Sequence, residues 1–233
     1  MEFNGTFELS DATIDEVWLA LSDPVMVREA LPGCQFLLKV DSEDPDFDEL
    51  RKRAEEEETQ ETTVDPEVIR SRAFEEGDHY AAVMSISVGS VNPTFETVVT
   101  IDERDKPKMN ASGEGSSGNS SFEMSSGMEL VETDGGVAVE WWAEADVFGR
   151  IAQMGQRVVN PVANRVVKRF FGDIRDRIEE LKAAMHEDAE SESGAEASTD
   201  GETATSGDRD SGDDSGSKGG IVARIKRLLG LGG

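Results

Sequence analysis

Hydrophobic and polar positions alternate with two different periods along this chain, and the places where the period changes divide it into elements. Residues 2–9 (EFNGTFEL) read as a strand, and Ser10-Asp11 then gives a helix-capping signal. Ile14, Val17, Trp18 and Leu21 follow at spacings of three and four, which predicts a helix. Pro24 opens a second short helix over VMVREAL, and Leu31-Pro32-Gly33-Cys34 turns the chain into a strand, QFLLKV. From Asp78 the period is two. Tyr80, Ala82, Met84, Ile86 and Val88 share one strand face, and Phe95, Thr97, Val99 and Ile101 share a face of the next, with the turn at 89–93. KPKMNASGEGS places Met109 and Ala111 inside a further strand. SFEMSSGMELV sets Phe122, Met124, Ser126, Met128 and Leu130 inward; VAVEWWAEADV does the same for Val137, Val139, Trp141, Ala143, Ala145 and Val147, with Glu140, Glu144 and Asp146 outward. Asp134-Gly135-Gly136 joins these two as a hairpin. The pattern predicts a bent antiparallel sheet of about six or seven strands.

The period then returns to that of a helix. From Gly149 onward Ile151, Met154, Val158, Val162, Val166, Phe170, Ile174, Ile178 and Leu181 recur at threes and fours, which predicts one long helix lying across the concave sheet, with a kink at Pro161. The fold class is therefore α+β. Two stretches break the periodicity. Residues 41–72 are dense in charge and read as an acidic surface insertion with a short polar helix near Phe47 to Leu50. Residues 187–217 have almost no large apolar groups with which to offset the entropy of ordering, so they read as a disordered acidic linker after a domain spanning 1–186.

Charge adds a further distinction. The chain holds 50 acidic and 23 basic residues, for a formal net charge of -27, and only 8 of its cations are lysines. Such a surface repels phosphates, and no basic groove with interleaved aromatics offsets it, so nucleic acid is excluded as a partner. Excess carboxylate with few lysines fits a halophile's hydrated surface. Cys34 is the only cysteine, which rules out an intrachain disulfide and a thiolate metal cluster. The first residues lack the n- and h-regions of a signal peptide, and no stretch of about 18 apolar residues occurs, so a cytoplasmic protein is expected.

The last sixteen residues reverse the acidity. Residues 218–233 carry four cations and no acid. On a helix, Ile221, Val222, Ile225, Leu228 and Leu229 form an apolar stripe, extended by Leu231, with Arg224, Lys226 and Arg227 beside or opposite it. That is the pattern of a helix lying in the interface of an anionic membrane. Taken as 34 flexible residues, the tether over 187–220 reaches on the order of 30 Å, so a domain could stand off the cytoplasmic face while the tail stays bound.

Four segments together carry a resemblance. The opening strand, DPVMVREALPGC (23–34), VGSVNPTFETVVTI (88–101) and GRIAQMGQRVVNPVANRVVKRFFGDI (149–174) resemble, in that order, the CoxG family, the carbon monoxide dehydrogenase G-subunit family of the START-like SRPBCC superfamily. The resemblance spans about residues 1–182, interrupted by the insertion. It implies a helix-grip fold: seven antiparallel strands around a long C-terminal helix, with a ligand cavity between them. It further implies membrane attachment of a molybdenum hydroxylase of the carbon monoxide dehydrogenase type, and carriage of a quinone to it.

On that framework the expected cavity lining is Leu21, Met84, Phe95, Met109, Met124, Met128, Trp141, Ala143, Met154, Val158 and Phe170. Flexible thioethers beside small side chains suit an apolar guest of variable shape, although methionines at these spacings also pack ordinary cores. Trp142 should point outward. The only histidines are His79 and His186, so Cys34 has no Cys-His arrangement about it and reads as a small buried hydrophobe. The expectation is a non-enzymatic peripheral membrane carrier or adaptor without cofactor or metal, its cargo a quinone or isoprenoid lipid. The alternatives are a tethering or maturation factor whose cavity is incidental, and a generic START-like binder of hydrophobic ligands.

Overall fold

The computed structural model describes residues 1–56 and 61–196, with side chains of the last helix described to residue 184. Seven antiparallel strands form one sheet: β1 (Glu2–Ser10), β2 (Cys34–Val40), β3 (His79–Ser85), β4 (Thr94–Asp105), β5 (Lys108–Ser117), β6 (Ser120–Thr133) and β7 (Gly136–Gly149). Their spatial order is β1-β7-β6-β5-β4-β3-β2, so consecutive hairpins build most of the sheet and β1 closes onto β7. Helices α1 (Ile14–Ser22) and α2 (Pro24–Ala30) connect β1 to β2, the two edge strands. Helix α5 (Gln156–Glu196) follows β7 and a 3-10 turn at Ala152–Met154.

The main core forms where α1, α2 and the second half of the described part of α5 meet the sheet. Val17, Leu21 and Met26 pack there with Leu130, Val137, Val139, Phe171, Ile174, Ile178 and Leu181, all buried. Phe7 stacks on Phe171 with ring centroids 4.9 Å apart, and the Arg175 guanidinium lies over the Phe7 ring at 4.6 Å from its centroid.

Several elements differ from what periodicity predicts. Helix α1 is capped by Thr13, not Ser10-Asp11: Thr13 and Glu16 form a reciprocal capping box, while Asp11 takes the positive φ of 57° that turns the strand end. β3 ends at Ser85, and Val88 instead pairs with Val91 in an isolated bridge. The last helix does not begin at Gly149. β7 runs through Gly149, the 3-10 turn follows, and Gly155 at φ 74° breaks the path, so Ile151 and Met154 precede α5. Pro161, expected to mark a kink, sits inside continuous α5. The helix also runs ten residues into the stretch expected to be a linker, because a formed helix propagates easily through Glu and Ala.

The insertion is part of the fold. It forms two helices, α3 (Phe47–Glu56) and α4 (Pro66–Ser71), and α4 is capped by Asp65, with Pro66 at its first turn. Leu50 of α3 packs with Phe36, Ala81 and Val83 on the convex face, which is why β3 is buried on both sides and not on alternate ones. Ile69 of α4 is 0% exposed and belongs to the main core. Arg72 then reaches Asp23, which is itself fully buried: Nη2 donates to Oδ2 at 2.6 Å, while Asp23 Oδ1 accepts from the Val25 amide at the start of α2.

Candidate functional site

Register brings the inward residues into rows across the concave face. Gly5, Trp141, Met128 and Met109 form one row; Phe3, Ala143, Ser126, Ala111 and Ile101 form the next. Ala145, Met124, Gly113, Val99 and Tyr80 follow, then Val147, Phe122, Gly115, Thr97 and Ala82, towards the strand ends that lead into α5. Small residues fill the middle of these rows, so the floor is low there. Gly115 is required: a Cβ at that position would lie 2.6 Å from the Phe122 ring, which crosses it to meet Phe95 at 5.4 Å.

Both walls loosen in the same direction. On the sheet, Val137, Val139 and Leu130 are buried, whereas Trp141, Ala143, Ala145, Val147, Met124 and Met128 are only half-buried. On α5, Phe171, Ile174, Ile178 and Leu181 are buried, whereas Val158, Val162, Val166, Val167 and Phe170 are half-buried. An apolar groove therefore continues from the packed core, bounded by the small-residue floor and the first turns of α5.

The expected lining residues divide between core and groove. Leu21 is buried in the main core, and Met109 in a second cluster with Phe74, Tyr80 and Ile101. Phe95 is buried against Phe122. Met84, Met124, Met128, Trp141 and Ala143 are the half-buried part of the sheet set, and Phe170 packs edge-on to Phe171 at 5.2 Å. Met154 and Val158 sit beside Gly89, near the loop after β3. The tail residues Ile221, Val222, Arg224, Ile225, Lys226, Arg227, Leu228, Leu229 and Leu231 lie outside the described residues.

Two polar atoms in this interior have no hydrogen-bond partner: Thr97 Oγ1 on the sheet and Asn160 Oδ1 on α5. Asn160 lies about five turns before Ile178 and so shares its sheet-facing side. Periodicity placed Thr97 on the inward face without giving it a role, and it missed Asn160, because an asparagine among valines looks like an interruption of the apolar pattern. Buried polar groups without partners cost free energy unless something else satisfies them.

No catalytic set accompanies the groove among the described residues, nor any group of His, Cys, Asp or Glu able to hold a metal. The Cys34 thiol donates to the Phe36 carbonyl at 3.3 Å, and burial pushes its pKa up to about 11, with Arg28 lowering it and Glu29 raising it to lesser extents. It is a protonated thiol at neutral pH, not a nucleophile. His79 shares a hydrogen bond of 2.9 Å with Thr100. Trp142 faces outward over Gly127, 42% exposed, with Phe148 further along the same face.

Residues 71–179, which hold the five strands β3 to β7 and α5 as far as residue 179, match the carbon monoxide dehydrogenase G-subunit (CoxG) family. Over those residues the chain is similar to the CoxG family. No curated protein sequence matches it. Among solved structures, a conserved protein of Geobacillus kaustophilus is similar at 21% identity and a TM-score of 0.58, over 77% of this chain and 96% of that one. The Zhui aromatase/cyclase of Streptomyces sp. R1128 is similar at 10% identity and a TM-score of 0.46, over 77% of this chain and 92% of that one. The chain has the expected helix-grip fold, seven antiparallel strands with a long C-terminal helix, and CoxG is a family of accessory subunits. No helix among the described residues is long and apolar enough to cross a membrane.

Proposed function

We propose that this chain is a non-enzymatic carrier of a quinone or similar isoprenoid lipid. The ligand's apolar body would lie between the first turns of α5 and the floor made by Ala143, Ser126, Ala111 and Met124. Its polar end would meet Thr97 Oγ1 or Asn160 Oδ1, the two interior polar atoms that lack partners. The observation that carries this reading is the matched loosening of both walls beyond a fully packed core. A chain selected only for stability would close that space with larger side chains than alanine, serine and glycine.

The basic tail at 218–233 supplies the route: it rests on the cytoplasmic face of an anionic membrane and collects the ligand there. The partner is a molybdenum hydroxylase of the carbon monoxide dehydrogenase type, to which the ligand is delivered. Native mass spectrometry of the full chain purified from its host, followed by lipid extraction, tests the carrier. An apolar adduct is expected on the unaltered chain and absent from Ala143→Trp, whose indole fills the groove floor. A chain that is empty in both forms refutes the carrier and leaves a tethering factor.

A further inference from the structure

One cleft has a charge balance opposite to that of the chain. It has a volume of about 360 Å³ and follows the edge strand β2, between α2 and the insertion. Of its charged lining residues among the described ones, four are cations, Arg28, Lys39, Arg53 and Arg72, and one is an acid, Glu75, although acids outnumber bases 50 to 23 in the whole chain. The nearer carboxylates that answer two of these cations are set into the protein and do not line the cleft, while Glu75 of the lining stands 3.9 Å from Lys39. Asp23 lies fully buried at 2.6 Å from Arg72, and the Asp78 carboxylate, itself largely buried, holds Lys39 at 2.7 Å. Glu29, which pairs with Arg28 at 2.6 Å, is also outside the lining. Arg72 carries five N–H donors, and its buried Nε has no partner in the protein. Val25, Leu37 and Leu38 add an apolar stretch to the same cleft. A neighbouring cleft of about 620 Å³ shares Ala73 and Glu75 and carries Arg70, Arg104 and Lys106, the last paired with Asp15 of the same lining.

We propose that Arg28, Lys39, Arg53 and Arg72 form a binding site for an oxyanion-bearing amphiphile, with its phosphate or carboxylate among the cations and its apolar part along Val25, Leu37 and Leu38. Guanidinium groups match the planar and bidentate geometry of such anions, and charge-assisted hydrogen bonds are the stronger kind. Buried Tyr80, whose hydroxyl donates to Asp78 Oδ2 at 3.4 Å, completes the wall. The insertion supplies Arg53 and Arg72, so the site exists only because residues 41–72 fold against β2. It is separate from the groove under α5 and does not depend on the carrier reading.

Titration calorimetry of the full chain with decyl phosphate below its micelle concentration tests the site, with decanol and decyltrimethylammonium as controls. Decyl phosphate is expected to bind and the two controls are not. Arg28→Gln and Arg53→Gln should each weaken binding about tenfold or more, the usual worth of a hydrogen bond to a charged group, with an unchanged melting temperature. Should the arginine variants lose their fold, Lys39→Met carries the same test with the same expected loss. Competition by inorganic phosphate separates the sources: displacement means the anion alone suffices, and no displacement means the apolar part is needed as well. Ala143→Trp, which alters only the other groove, should leave binding intact. Equal binding of decanol, undiminished affinity in Arg28→Gln/Arg53→Gln, or loss of binding in Ala143→Trp overturns the assignment.

Discussion

Replacing Asp23 by alanine tests whether the insertion is structurally bound into the domain. The side chain has two roles. Oδ1 accepts from the Val25 amide at 2.9 Å and caps α2, and Oδ2 accepts from Arg72 Nη2 at 2.6 Å. Loss of a helix cap costs about 1 kcal/mol. Removing one partner of a buried ion pair costs about 3–5 kcal/mol, because the remaining charge is left without compensation. Asp23 is 0% exposed but the Arg72 side chain is 15% exposed, and its Nη1 keeps the Glu61 carbonyl. The orphaned guanidinium is therefore partly hydrated, which places the total near the lower end, about 4 kcal/mol.

The assay is urea unfolding followed by circular dichroism at fixed salt, for Asp23→Ala, Arg72→Met and the pair. Because the penalty in Asp23→Ala comes mostly from the stranded cation, adding Arg72→Met should restore part of the stability. The single changes should then couple by about 2 kcal/mol. Additivity within about 0.5 kcal/mol, the behaviour of independent sites, would show that the contact carries no structural weight. A loss below about 1 kcal/mol in Asp23→Ala, no more than the helix cap alone accounts for, would return the insertion to a surface ornament.

Three further outcomes are expected. Ile69→Ala removes three buried carbons at about 0.8 kcal/mol each and leaves a cavity, so a loss of about 3 kcal/mol should appear in the same assay, against under about 0.5 kcal/mol for an exposed helix. The Cys34 thiol, pushed from 9.0 up to about 11, favours the protonated folded state; its contribution to stability is complete below pH 9 and is lost as pH rises towards 11. Iodoacetamide should accordingly alkylate native Cys34 about a hundredfold more slowly at pH 8 than the urea-unfolded chain, and equal rates contradict the burial argument. Deleting 218–233 should abolish co-sedimentation with anionic vesicles, and retention by the truncated chain would move the membrane contact elsewhere.

How much of this was legible depended on whether a residue's environment was set by its near neighbours in sequence. β6 and β7 were readable because one face is polar and open, so Glu140, Glu144 and Asp146 alternate with Val139, Trp141 and Ala143. β3 was less so: Ala81 and Val83 are buried by α3, whose charged sequence suggested solvent and whose packing side chains, Phe47, Leu50 and Ala54, stand among many charges. The same holds for Ile69, which reaches the main core from a short helix whose other large aliphatic, Val68, is exposed. The start of α5 was misplaced because a 3-10 turn continues helical spacing for a few residues, and only the conformation of Gly155 reveals the break.

The two candidate sites differ in the same respect. The groove was legible because its floor is a run of alternating residues on adjacent hairpins, so register could be inferred from turns alone. The β2 cleft was not. Its cations stand at positions 28, 39, 53 and 72, on a helix, an edge strand, an inserted helix and the residue that caps α4, and no spacing rule links them. In a chain so acidic, scattered arginines read as a balancing minority spread over the surface. Folding instead concentrates four cations along one strand edge and sets the carboxylates that pair with two of them back into the protein. A uniform solvated surface would not need that arrangement, since exposed ion pairs contribute little stability wherever they form. Taking carboxylates out of water to hold cations at a cleft costs free energy, and a ligand that the cations recognise gives that cost a function.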